Sequence, residues 1–302
     1  MTPAPIAAPI DGLHHITAIS GPAQENLDLY TTRLDTRLIK KTVNFDAPQM
    51  YHLYYGAQDA RPGSVLTFFN RETTARGQAG TGAAQAFAYA VAPEALERWQ
   101  ARLGGTRFAR FGAEGLALQD PHGQAFEIIA TQAQSVWGEF HSATLWLADP
   151  VPTARILTEV FGYSFAGEER GADGTRSRFQ LPGDAPGRTL DIWRSDRPVQ
   201  ARPGPGTIHH IAFRARDVAH QQALREALLA CGEQVTEVKD RQYFKAIYFR
   251  EPGGVLFEIA TDGPGFAVDE PMAHLGEALK LPAQYEPRRT ELEASLPALV
   301  TR

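Results

Sequence analysis

Two dipeptides, His14-His15 and His209-His210, carry four of the chain's nine histidines. Each lies in an apolar run that reads as a buried strand, Leu13–Ile19 and Thr207–Phe213. Adjacent residues on a strand point to opposite faces. One histidine of each pair can therefore enter a cavity, while its neighbour faces the helix side or stands just outside whatever the first one binds. Glu127 and Glu258 also sit inside apolar runs, Ala125–Ile129 and Val255–Ala260. A carboxylate there is costly unless it is paired or bound to a metal. Two histidines and one carboxylate, with positions left open, form the ligand set of non-haem iron(II) oxygenases. A lone histidine on a buried strand is more often a hydrogen-bonded core residue than a ligand. Two identically placed pairs and a buried glutamate reverse that preference. Glu127 keeps the structural reading, because its unit begins Gln85-Ala86-Phe87-Ala88, with no histidine at the matching place.

These residues ride on a repeat. From Gly206 to Asp262 a strand (Thr207–Phe213) is followed by an amphipathic stretch, Asp217–Cys231, with Leu224, Leu228 and Leu229 at helical spacing. Asp217 suits its N-cap and Gly232 the position after its end. Three strands are expected next, at Gln234–Lys239, Ala246–Arg250 and Val255–Ala260, with a turn at Glu251-Pro252-Gly253-Gly254. The same βαβββ order recurs over residues 12–70, 85–131 and 138–194, with helices expected at Ala23–Leu34, Pro93–Leu103 and Pro152–Phe161. The expected fold is α+β: four βαβββ modules paired into two domains, 10–135 and 136–265, whose curved mixed sheets enclose a metal-centred cavity. Residues 71–84 and 195–206 are Gly/Pro/polar-rich and read as linkers or surface loops. The tail, 266–302, is expected to be mostly irregular, with a short helix near Arg288–Leu296.

Of the 302 residues, 43% are hydrophobic and 22% charged, which excludes a disordered, collagen-like or coiled-coil chain. A formal net charge of −5 builds no basic field for nucleic acid. Cys231 is the one cysteine, so neither an intrachain disulfide nor a thiolate zinc cluster can form. No apolar run approaches the roughly 18 residues of a membrane span. The opening MTPAPIAAPIDG lacks the basic flank and apolar run of a signal peptide. A soluble cytoplasmic protein is expected, without nucleic-acid or membrane partners. A homo-oligomer is left open.

The matching stretches then become specific. They are Gly12-Leu-His-His-Ile-Thr-Ala-Ile19, Ala23-Gln-Glu-Asn-Leu-Asp28, Lys40-Lys-Thr-Val-Asn-Phe-Asp46, Tyr51-His-Leu-Tyr-Tyr55, Gly206-Thr-Ile-His-His-Ile-Ala-Phe213, Asp240-Arg-Gln-Tyr-Phe244, Arg250 to Asp262, and Leu281 to Pro287. On them the chain resembles the vicinal-oxygen-chelate (glyoxalase/bleomycin-resistance/dioxygenase) superfamily, and within it the ring-cleaving dioxygenases of hydroquinones. The resemblance implies an Fe(II) enzyme taking a small aromatic substrate and O₂, with His15, His210 and Glu258 as metal ligands. His14 and His209 would stand beside the ligands. Thr17, Arg241 and Tyr248 match substrate-pocket positions. Arg241, Tyr248, His14 and His209 are candidates for gripping the far hydroxyl of a para-diol and for proton transfer. Lys245 is left without a role. Without the resemblance, Thr17 reads as a strand residue, Arg241 as a surface residue and Tyr248 as core.

A rival ligand is His141, from the first strand of the third unit, as in catechol-cleaving extradiol enzymes. Its spacing to Asp149 is one residue too long, which puts Ser142 at the ligand position. If His15 is a ligand, units one and four must meet at the metal. A glyoxalase-like isomerase or thiol transferase would want a fourth ligand. The strands Leu66-Thr67-Phe68 and Leu190-Asp191-Ile192 offer no Glu for it, although Asp191 weakens that argument. A metal-free binding protein fits poorly with an intact His/His/Glu set.

Overall fold

The computed structural model describes residues 9–72 and 75–301. Residues 1–8, which begin the stretch read above as lacking a leader pattern, lie outside the described residues, as do 73, 74 and 302 in the first linker and the tail. Each module supplies four strands. Module one has β1 (Leu13–Ser20), β2 (Arg37–Val43), β3 (Tyr51–Gly56) and β4 (Val65–Asn70). Module two has β5 (Ala83–Val91), β6 (Thr106–Arg110), β7 (Ala113–Gln119) and β8 (Ala125–Ala130). Module three has β9 (Phe140–Trp146), β10 (Ser164–Arg170), β11 (Gly174–Gln180) and β12 (Thr189–Ser195). Module four has β13 (Thr207–Ala215), β14 (Lys239–Asp240), β15 (Phe244–Arg250) and β16 (Leu256–Pro264).

The strands form two eight-stranded curled mixed sheets, ordered β14-β15-β16-β13-β1-β4-β3-β2 and β10-β11-β12-β9-β5-β8-β7-β6. Module one therefore joins module four, and module two joins module three. This corrects the expected sequential pairing of 10–135 and 136–265. Every first strand is apolar enough for the buried centre of a sheet, so alternation alone cannot choose its partner. The antiparallel pairing of β1 with β13 makes the choice. The two linkers follow from it: Gln78 N donates to Arg202 O at 2.7 Å and Thr81 N to Val199 O at 2.7 Å, so segments 71–84 and 195–206 run together.

Helix α1 (Ala23–Asp28) passes into a π-turn at Leu29–Arg33 rather than staying α-helical to Leu34. Thr31 Oγ1 donates to the Leu27 carbonyl there. Helix α2 is Leu96–Leu103, and α3 (Val151–Arg155) likewise ends in a π-turn, Ile156–Val160. Helix α4 (Val218–Ala230) starts as its sequence dictates, with the Asp217 carboxylate accepting from His220 N at 2.8 Å. The strand expected at Gln234–Lys239 shrinks to the two residues of β14. Thr236 explains why: its Oγ1, instead of a ladder carbonyl, accepts from Tyr248 N at 3.0 Å. Among the described residues, no helix is long and apolar enough to cross a membrane.

The tail carries α5 (Arg289–Ser295) and straps module one. Lys40 of β2 is fully buried, with its Nζ 2.7 Å from Asp269 and 2.5 Å from Glu270. Asp269 also accepts from the Tyr243 hydroxyl at 3.0 Å. Removing one partner of a buried ion pair leaves an uncompensated charge and costs about 3–5 kcal/mol. Lys40→Met should therefore lower unfolding stability by about that much, measured by urea denaturation. A change below about 1 kcal/mol would show that the cluster behaves like a surface pair.

Candidate metal centre and substrate cavity

The β1–β13 ladder pairs Leu13 with Phe213 and His15 with Ala212, then Thr17 with His210 and Ala18 with Ile208. His14 and His209 have no partner in this ladder. Each is the extra residue of a β-bulge, which breaks strict alternation and re-aims side chains. Each pair of rings meets edge to face instead of splitting across the sheet. His14 Nδ1 lies 2.9 Å from His15 Nδ1, and His209 Nδ1 lies 2.8 Å from His210 Nδ1.

This contact couples the tautomers of each pair, since one ring must donate and the other accept. A neutral imidazole has one N–H, so with the hydrogen of the Nδ1–Nδ1 bond on His15 and on His210, each Nε2 is a bare lone pair. Those Nε2 atoms lie 3.3 Å apart, at 3.4 and 2.9 Å from Glu258 Oε2 for His15 and His210 respectively. Glu258 is fully buried, and neither of its carboxylate oxygens has a hydrogen-bond partner among the described residues. Three ligand atoms within 4.8 Å of one another, with an orphaned carboxylate, are what a metal ion would explain, and the donor set suits one. Burial opposes ionisation of Glu258, and a protonated His15 or His210 beside it more than offsets that and lowers the carboxyl well below its usual range. Burial, aided by the adjacent ring, lowers His14 to about 3. His209 is more exposed, and partial desolvation of its ring together with the adjacent His210 lowers it as well, so both are neutral.

The cluster opens on a cavity of about 570 Å³. Thr17, Arg241, Tyr248 and His209 line it, while His14 is sealed behind Phe244, with ring centroids 5.2 Å apart. Tyr248 stands across from Glu258 in the β15–β16 ladder, and its hydroxyl accepts from Arg241 Nε at 3.1 Å. Burial and the Glu258 charge push the Tyr248 phenol well above its ordinary range, so it remains a hydrogen-bond donor. Lys245 is exposed and is absent from the cavity wall. Arg250, which shares a parity with Tyr248, turns instead to the Gly254 carbonyl at 2.9 Å.

Sequence reasoning missed His52, Tyr54, Phe69 and Phe244, all on this wall. His52 and Tyr54 share a strand parity within Tyr51-His-Leu-Tyr-Tyr55, a signal that was present in the pattern. Thr67 was read only as the lack of a Glu. His52 Nε2 lies 2.8 Å from Thr67 Oγ1, and Thr67 Oγ1 donates to Thr17 Oγ1 at 2.8 Å.

The second sheet repeats the geometry without the ligands. Gln85 and His141 are its bulge residues, and Ala86 and Ser142 occupy the places of His15 and His210. His141 Nδ1 meets Ser142 Oγ at 2.9 Å. Glu127 and Asp191 occupy the places of Thr67 and Glu258. Arginines take up both carboxylates: Arg110 binds Glu127, and Arg178 binds Asp191 at 2.8 and 2.9 Å.

A twofold-repeated bulged sheet cupping a His/His/Glu cluster defines a class, and the comparisons agree. Residues 140–259 match the Glyoxalase/Bleomycin resistance protein/Dioxygenase superfamily, to which the chain belongs. It is 41% identical over 304 residues to MhqO of Bacillus subtilis (strain 168), named as a candidate ring-cleaving dioxygenase, covering 94% of this chain and 95% of that one. It is 33% identical to the chlorohydroquinone/hydroquinone 1,2-dioxygenase of Sphingobium indicum, covering 94% and 95%. A crystal structure of a candidate dioxygenase from Bacillus subtilis superposes with a TM-score of 0.90 at 39% identity, over 98% of this chain and 99% of that one. Glyoxalase I from Zea mays shares the fold alone, with a TM-score of 0.64 at 15% identity, over 83% and 92%.

His210→Ala and Glu258→Ala should each lose stoichiometric metal, while His141→Ala and Glu127→Gln keep it. Metal analysis after anaerobic loading checks this. Metal lost from His141→Ala but kept in His15→Ala would move the centre to the catechol-type triad.

Proposed function

We propose that this protein is an iron(II)-dependent dioxygenase that opens a hydroquinone-type aromatic ring with O₂. The observation that carries the reading is the meeting of His15, His210 and Glu258 ligand atoms around a carboxylate that no hydrogen bond satisfies. The names of the relatives support the substrate class, since one is a dioxygenase of chlorohydroquinone and hydroquinone. His15, His210 and Glu258 would hold the iron, and His14 and His209 would keep the ligand tautomers in place from the side. Iron(II), when bound, supplies Lewis acidity towards a phenolic oxygen and a route for electrons to O₂.

The remaining residues bind and orient. Phe45, Phe69 and Phe244 give the cavity apolar walls suited to an aromatic ring. A para-diol presents its second hydroxyl too far from the first for both to reach one metal, so the protein must grip the far end. Tyr248 and Arg241 are linked to each other and lie on the wall for that task. His209, unlike His14, borders the cavity, and with its Nδ1 accepting from His210 its Nε2–H is left to donate to a substrate oxygen.

An oxygen electrode should record faster O₂ uptake with a hydroquinone than with the matching catechol. A hydrogen bond to a charged group contributes about 1.5–3 kcal/mol, and about 1.36 kcal/mol is tenfold in rate. Tyr248→Phe or Arg241→Ala should therefore lower kcat/KM for the hydroquinone roughly ten- to a hundred-fold at unchanged iron content. A better rate with catechol would sink the para-diol reading even with the metal site intact.

A further inference from the structure

The internal twofold relating module one to module four sets residues of the cavity in pairs. His15 answers to His210. Thr17, two residues on, pairs with Thr67 of β4, and Ala212, two residues after His210, pairs with Glu258 of β16. Thr67 is therefore the counterpart of the ligand carboxylate, and Tyr54, across the ladder from Thr67, is the counterpart of Tyr248. Where the module-four side offers a negative oxygen, the module-one side offers two short hydroxyls. A chain of hydrogen bonds runs into them. Tyr54 OH lies 2.9 Å from His52 Nδ1, His52 Nε2 lies 2.8 Å from Thr67 Oγ1, and Thr67 Oγ1 donates to Thr17 Oγ1 at 2.8 Å.

The inventory of donors gives this chain a direction. Thr67 spends its hydrogen on Thr17, so its oxygen accepts from His52 Nε2–H. His52 Nδ1 then accepts from the Tyr54 hydroxyl. Thr17 receives one hydrogen and, among the described residues, donates its own to no protein acceptor. It is fully buried and borders the cavity on the same face of β1 as His15. We infer that His52 is a positioning residue: through Thr67 it turns the Thr17 hydroxyl into a hydrogen-bond donor aimed at an oxygen atom bound on the side of the cluster opposite Glu258. That oxygen belongs to the aromatic substrate or to O₂, and the inference rests on the function proposed above. Burial, with His210 and His15 nearby, keeps His52 neutral, as the chain requires.

Three variants test it. His52→Leu removes the donor to Thr67, Thr67→Val removes the hydroxyl it orients, and His52→Gln returns an N–H at the place of Nε2. With hydroquinone as the probe, His52→Leu and Thr67→Val should each lose roughly ten- to a hundred-fold in kcat/KM at unchanged iron content. His52→Gln should recover to within about fivefold, and His52→Leu added to Thr67→Val should cost less than about twofold more. A weakened anaerobic dissociation constant for hydroquinone in the single variants assigns the oxygen to the aromatic; an unchanged constant with raised KM for O₂ assigns it to dioxygen. Additive losses, or failure of His52→Gln to recover, would overturn the inference. An independent reading comes from ¹⁵N NMR of the metal-free protein. His52 should be the neutral Nε2–H tautomer at pH 6, with Nε2 shifted by Thr67→Val. The opposite tautomer overturns the proposed direction even if the wild type shows no oxygen uptake, an outcome that would instead refute the proposed function.

Discussion

A fully buried carboxylate that accepts no hydrogen bond among the described residues is the constraint around which this molecule is arranged. The effective cost of burying an unpaired ion is several kcal/mol, and two imidazole Nε2 atoms lie close to Glu258 Oε2. Those imidazoles are themselves fixed by a neighbouring ring, and the neighbouring rings reach them only because β1 and β13 are both bulged. Remove the bulges and the rings of each pair would fall on opposite faces. The sheet irregularity, the tautomers and the convergence of ligand atoms are thus one arrangement.

The second sheet is a useful control within the same chain. It has the same bulges at Gln85 and His141 and carboxylates at both corresponding strand positions. There the carboxylates are answered by Arg110 and Arg178, and among the described residues no cluster of ligand atoms forms. A duplicated framework has settled the same electrostatic problem in two ways. Arginine pairing makes a closed, structural sheet, whereas imidazole lone pairs leave an open cluster beside a cavity.

Much of this was legible in the residues. The repeated βαβββ order, the His-His pairs and the buried Glu258 are local patterns, and the one-residue offset of His141 relative to His210 already placed Ser142 where the ladder now puts it. What was not legible was non-local. Nothing in four equally apolar first strands says that β1 should choose β13 over β5. A bulge depends on its partner strand, so alternation read from one strand alone misplaces His14 and His209. The burial of Lys40 has no local signal, because Asp269 and Glu270 reach it only once the tail has folded back. Thr236 ended an expected strand through a side-chain bond that no propensity encodes. His52 and Tyr54 were readable by parity but lacked a partner to give them meaning until Thr67 was beside them.

The union of the first and last modules has a consequence for the order of events at the ribosome. His15 and His210 stand 195 positions apart, and Glu258 comes later still, so the His/His/Glu cluster is among the last things the emerging chain can assemble. Modules two and three are contiguous and can close their sheet while module four is still being made. Module one must meanwhile wait with the apolar β1 lacking its neighbour, a long-range closure of the kind that slows folding and exposes strand edges. A nascent chain that stops short of β16 already holds His15 and His210 but lacks the Glu258 carboxylate, so the cluster is incomplete until the last strand is made.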